Sequence, residues 1–162
     1  MKELLTQEPE VDTRDREATF SRFLNAPRQL VYEAFTDRAH VARWWGPDGF
    51  TITTHAMDVR EGGMWRYIMH GPDGKDYSNR IRYIGVKPPE KLVYEHGEDE
   101  EEDPLRFHVT ITFDQQNGGT LVTMRILFAS AAQWQETRKY AEPGHVQTMN
   151  KLEHYLAKLM KV

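Results

Sequence analysis

Among the side chains able to do chemistry, His96 and the tyrosines Tyr67, Tyr83 and Tyr94 stand out by position, not by motif. In Lys91-Leu-Val-Tyr-Glu-His96, side chains at i and i+2 share a strand face. Leu92, Tyr94 and His96 therefore form one face and Val93 and Glu95 the other. An inward imidazole can act as acid, base or ligand anchor near neutral pH. It can equally be a histidine hydrogen-bonded at the sheet rim. An inward tyrosine needs a partner for its hydroxyl. No catalytic residue is identified beyond His96 as a candidate.

The other histidines, His40, His55, His70, His108, His145 and His154, form no His-x-His or His-Glu-x-x-His arrangement, and there is no cysteine. No metal site is expected. No glycine-rich phosphate loop is present and no serine sits in a nucleophile-elbow context, so no cofactor is expected. The unbroken acidic run Glu98–Asp103 lacks the spaced ligands and glycine bend of a calcium loop and reads as a solvated loop. That run carries −6 of a net charge of −4, leaving the rest of the chain at about +2. There is no basic stripe for nucleic acid. No segment approaches the roughly 18 apolar residues of a membrane span, and the charged first residues carry no signal-peptide run. The chain reads as cytoplasmic, with no membrane insertion.

The elements that position these groups follow from periodicity. Residues 1–16 are polar and aperiodic and read as a flexible leader, with one domain over 17–162. A strand is expected from Ala18 and a helix from Pro27, whose missing N–H is tolerated at a helix start. Asp37 caps a helix of about two turns that ends at Gly46-Pro47. Strands are expected near 50–58, 64–70, 77–86, 91–96, 106–114 and 120–128, joined by tight glycine and proline turns in an antiparallel meander. Ser130 to Gln133 is a capping-box pattern opening a helix that Pro143-Gly144 should interrupt. Beyond the interruption, Val146, Met149, Leu152, Leu156, Leu159 and Met160 form an apolar stripe that needs a sheet to cover.

Alternation then assigns the inward residues: Trp65, Tyr67 and Met69; Phe107, Val109, Ile111 and Phe113; Val122, Met124, Ile126 and Phe128. This list is large and aromatic. It fits either a solid core whose hydroxyls reach the rim or an apolar pocket with a few polar groups. The adjacent Trp44 and Trp45 pose the same choice, with at least one pinned against the sheet and the other free to stand at a cavity entrance.

The order of motifs is specific. Phe23-Leu-Asn-Ala-Pro-Arg-Gln-Leu-Val-Tyr-Glu-Ala-Phe-Thr-Asp37, Trp44-Trp-Gly-Pro47, Asp58-Val-Arg-Glu-Gly-Gly-Met-Trp65, Ile84-Gly-Val-Lys-Pro-Pro-Glu-Lys-Leu-Val93, Gly118-Gly-Thr-Leu-Val-Thr-Met124 and the closing Gly144 with Lys151-Leu-Glu-His-Tyr-Leu156 occur in one succession. In this order the chain resembles the START-related helix-grip superfamily (SRPBCC), in the branch similar to the C-terminal domain of the activator of the heat-shock chaperone ATPase (AHSA-like). The resemblance covers about residues 17–160. It implies an α+β fold with a curved antiparallel sheet of about seven strands wrapped on a long C-terminal helix, and two short helices after the first strand. The family often carries tryptophan at the positions held here by His96 and His145, which implies a more polar pocket.

The resulting expectation is a protein that binds a small apolar or amphipathic molecule between sheet and helix. The candidate ligand-binding residues are Trp44, Trp45, Trp65, Tyr67, Met69, Tyr83, Tyr94, His96, Phe107, Val109, Met124, Met149 and Leu152. The alternatives are a cyclase- or hydrolase-type enzyme using His96 with a tyrosine, and, by the resemblance alone, a partner of a chaperone ATPase. The full activator has a separate N-terminal chaperone-binding domain, and the sixteen leading residues are too few to supply one.

Overall fold

A computed structural model describes residues 12–100, 103 and 105–161. Most of the leader, residues 1–11, and part of the acidic run, Glu101 and Glu102, lie outside the described residues. A short 3-10 turn, Arg14–Arg16, leads into β1 (Glu17–Leu24), followed by α1 (Arg28–Thr36) and α2 (Arg38–Val41). Six strands come next: β2 (Thr51–Met57), β3 (Met64–His70), β4 (Asp76–Lys87), β5 (Lys91–Glu98), β6 (Phe107–Gln116) and β7 (Gly119–Leu127). The chain closes with α3 (Ala131–Leu159).

The strands form one seven-stranded antiparallel sheet in the order β1-β7-β6-β5-β4-β3-β2. Strands β2 to β7 pair with sequence neighbours, as tight turns dictate, while β1 crosses to pair with β7, Glu17 opposite Leu127. Register shifts between Thr54 and Ala56 and between Tyr83 and Gly85 bend the sheet, since an extra residue on one strand kinks the ladder. The concave face holds the alternate residues named above, and Trp65, Tyr67, Ile81, Tyr83, Leu92, Tyr94, Val109, Ile111 and Phe113 are all buried there. Met149, Leu152 and Leu156 of α3 close over them, whereas Val146, Leu159 and Met160 of the same apolar stripe remain exposed. The stripe is thus wider in sequence than the surface it covers.

Two local expectations change. Asp37 caps α2 by accepting from the backbone N–H groups of Ala39 and His40, but regular helix lasts only four residues. The second turn is irregular, with the N–H groups of Trp44 and Trp45 both donating to the Val41 carbonyl. Gly46 then adopts φ +101°, a left-handed conformation that ends the helix. More substantially, α3 runs 29 residues without a break through Pro143. The donor missing at Pro143 would have served the carbonyl of Lys139, and both residues are exposed, so water can hydrate that carbonyl while packing on either side holds the axis. Pro143→Ala is therefore expected to raise the unfolding free energy by about 2 kcal/mol, read as a higher denaturant midpoint with an unchanged slope.

The acidic run is also less solvated than its composition implies. Asp99 is pinned between Arg66 and Arg80 at 2.8 and 3.0 Å, and its side chain is only 12% exposed. The bond from Arg66, and then that from Arg80, holds its carboxyl below the usual range. Asp103 accepts from the N–H groups of Glu98 and Leu105, closing the loop on itself.

Candidate functional site

The concave face is mostly filled by its own rings. Trp44, Trp65, Tyr67 and Phe113 are among the largest fully buried side chains. What remains is a cavity of about 190 Å³ beneath the middle of α3 and beside the Gly46-Pro47 turn. It is smaller than the roughly 300–1,000 Å³ of drug-sized sites. Nine of the candidate residues line it: Trp44, Trp45, Met69, Tyr94, His96, Phe107, Val109, Met124 and Met149.

Trp65, Tyr67, Tyr83 and Leu152 do not line it but form the packing behind it. Trp65 stacks on Tyr67 with centroids 4.3 Å apart and donates its indole N–H to Thr54 Oγ1. Tyr83 meets Tyr94 edge-on at 6.2 Å, and Leu152 is fully buried.

The paired tryptophans divide their roles. Trp44 is 1% exposed, donates its N–H to the Ala34 carbonyl at 3.0 Å and meets Phe35 edge-on at 4.7 Å. It staples the irregular turn to α1. Trp45 points about one helical step away and reaches the sheet, where its N–H donates to the Tyr67 hydroxyl at 3.0 Å. That hydroxyl lies 2.9 Å from His96 Nε2.

The proton positions follow from the inventory of donors. An indole N–H only donates, so the Tyr67 oxygen accepts from Trp45. Among the described residues the one acceptor left for the Tyr67 proton is His96 Nε2. Tyr67 therefore donates to Nε2, and the neutral His96 carries its own proton on Nδ1. Burial lowers the His96 pKa to about 4 and raises that of Tyr67, with the Trp45 bond acting weakly the other way. Both effects favour the uncharged forms. At pH 7 the pair is a neutral hydroxyl and a neutral imidazole, with Nδ1–H the ring donor that has no protein partner among the described residues.

Five further lining residues were not in the candidate set: Gly46, Pro47, Ile126, His145 and Thr148. Ile126 shares its strand face with Met124, so alternation carried that signal. His145 is one of the two departures from the family pattern. It stacks on Phe20 at 4.3 Å, and burial, then the Arg22 charge, lowers its pKa to about 4. Thr148 turns its hydroxyl back to the Gly144 carbonyl, and nothing in the sequence marks it. Among the described residues no group of three or more His, Cys, Asp or Glu side chains could hold a metal ion, and no helix is long and apolar enough to cross a membrane.

Comparison with known proteins gives a consistent picture. The family described as "Activator of Hsp90 ATPase homolog 1-like protein" matches residues 25–157. Among solved structures, a protein from Chromobacterium violaceum is similar at 25% identity and a TM-score of 0.77, covering 87% of this chain and 96% of that one. A protein from Arthrobacter aurescens shares the fold at 22% identity and a TM-score of 0.82, covering 92% and 90%. An AHSA1 protein from Silicibacter pomeroyi does so at 21% identity and a TM-score of 0.73, covering 87% and 97%. No curated protein matches.

Proposed function

Since the chain belongs to the family of Activator of Hsp90 ATPase homolog 1-like proteins, with the helix-grip fold that leaves space between sheet and helix, we propose that it binds a small, largely apolar molecule there. The observation that carries this reading is the cavity itself: aromatic and aliphatic walls around His96, whose Nδ1–H has no protein partner among the described residues. Apolar burial supplies the affinity, at about 25 cal/mol per Å². The Nδ1–H supplies orientation by donating to an acceptor on the ligand, such as a carbonyl or hydroxyl oxygen. The present volume suits a ligand about the size of a single ring with a polar substituent.

Amide and indole NMR with phenol as the probe tests this. Saturable shifts are expected at the Trp45 indole N–H and at residues 94–96, weakened at least about tenfold in Met124→Trp, whose larger ring fills the space. Shifts scattered over the surface and unchanged in a folded Met124→Trp protein refute the assignment. Native mass spectrometry of freshly purified protein then identifies any resident molecule.

The enzyme alternative gains little support from the same geometry. A general acid or base works best with a pKa near the operating pH, and burial moves His96 and Tyr67 away from neutrality in opposite directions. A role beside a chaperone ATPase is favoured by the family description, and a pull-down with purified chaperone tests it independently of the cavity.

A further inference from the structure

A second hollow, of about 300 Å³, adjoins the same Gly46-Pro47 turn but opens to solvent between the end of α2 and the C-terminal half of α3. Its lining is Arg43, Asn150, Lys151, His154, Tyr155 and Lys158. The five α3 residues recur at spacings of one, three and four and so share one helix face. We propose that this groove is an anion site, built to take a phosphate group.

The case rests on what each lining atom has left to offer. Asn150 Oδ1 accepts from Arg22, so its amide NH₂ remains as the free donor. Lys151 gives Nζ–H bonds to the Gly46 and Pro47 carbonyls at 3.0 and 3.4 Å, leaving one N–H of its three. The Tyr155 hydroxyl is engaged with His40 Nδ1 at 2.6 Å, and its ring lies beneath the Arg43 guanidinium at 5.9 Å, which holds that fork over the groove. Lys158 adds an exposed ammonium to the half-buried one of Lys151, and His154 an imidazole.

The groove thus presents mainly donors and positive charge, its acceptors being the His154 ring and the lone pairs left on the Tyr155 hydroxyl and Asn150 Oδ1. No carboxylate lines it. The nearby acids are Glu153, which pairs with Arg22 at 3.4 Å, and Asp48, which acts on Lys151 only through its charge. Among the described residues Arg43, Lys151 and Lys158 make no ion pair with a carboxylate. A planar guanidinium, ammonium groups and an amide NH₂ around one hollow suit a tetrahedral oxyanion, whose oxygens accept from several directions.

Amide NMR titration of the full chain with inorganic phosphate, against chloride at matched ionic strength, tests the site. Saturable shifts are expected at residue 43 and at 150–158, and the Arg43→Glu, Lys158→Glu double variant should weaken them at least about tenfold. Both residues are exposed, so circular dichroism should show an unchanged fold. A soluble phosphomonoester and phosphatidylcholine vesicles containing phosphatidic acid form two further arms. Tighter binding to one of them, lost in the double variant, supports the site and tells whether the phosphate comes from a free metabolite or a lipid headgroup. Absence of saturable binding in all arms, or binding that the charge reversals leave intact, overturns the proposal.

Discussion

Trp44→Ala lowers the unfolding free energy by about 3–5 kcal/mol, the range for emptying a large buried aromatic site. The loss has two parts. One is apolar: the ring is 1% exposed and touches Phe35 and Trp45 edge-on, and removing it leaves a hole in a region where α1, the irregular turn and the sheet meet. The other is polar, because the Ala34 carbonyl loses the indole N–H. For a chain of this size the change corresponds to a fall in melting temperature of about 10 °C. Trp45→Ala makes the informative contrast. Both indoles line the cavity, but Trp45 is only partly buried and its N–H holds the Tyr67 hydroxyl that orients His96, so its truncation should cost less in stability and more in phenol binding. Equal losses of stability in the two variants contradict the division of roles between the indoles.

Acidification from pH 7 to pH 4 should destabilise the protein, with His96 as a principal source. Its pKa is about 4 in the folded state against an ordinary value of 6.5. Below pH 6.5 the unfolded chain takes up a proton that the folded chain refuses, so stability falls with pH and levels off near pH 4, where the folded state also protonates. The slope is at most about 1.4 kcal/mol per pH unit for each such group. Because the ring borders a cavity that water can enter, a total of about 2 kcal/mol from His96 is expected. His145 acts in the same direction and window, since its pKa is also lowered to about 4. Asp99 does not interfere: a depressed carboxyl contributes stability that is lost only as pH falls below its ordinary value of 3.8. Urea unfolding across this range should show a flatter profile in His96→Gln, whose side-chain oxygen can still accept from Tyr67. An identical profile in that variant removes His96 as the source.

Much of the scaffold was legible because it obeys local rules. Alternation placed Leu92, Tyr94 and His96 on the concave face, and Val109, Ile111 and Phe113 beside them, because one side of the sheet must be dry and the period of a strand is two. The turn residues set the meander for the same local reason. What escaped depends on contacts between distant segments. No periodicity joins Tyr67 to His96, so the bond that fixes the imidazole tautomer became visible only when β3 and β5 were seen flanking β4. Asp99 reads in sequence as one acid among six, yet two arginines on β3 and β4 single it out. Pro143 misled because a rule about isolated helices met a helix held on both sides by packing. Arg43 and Lys158 are more than a hundred residues apart, and no composition count brings them to one groove.

The crossing of β1 to β7 has a consequence for how the molecule is made. The ladder from Glu17 opposite Leu127 to Leu24 opposite Thr120, and the bond from Thr120 to the Ala26 carbonyl, close a loop of about a hundred residues, whereas the hairpins from β2 onward close locally. A chain emerging from the ribosome carries its first strand without a mate until β7 has been synthesised, and pairings across such distances form slowly. For that interval Phe20, Phe23 and Leu24 are an unmated edge, and translation speed through the roughly hundred residues between β1 and the end of β7 sets how long the nascent protein is exposed to aggregation.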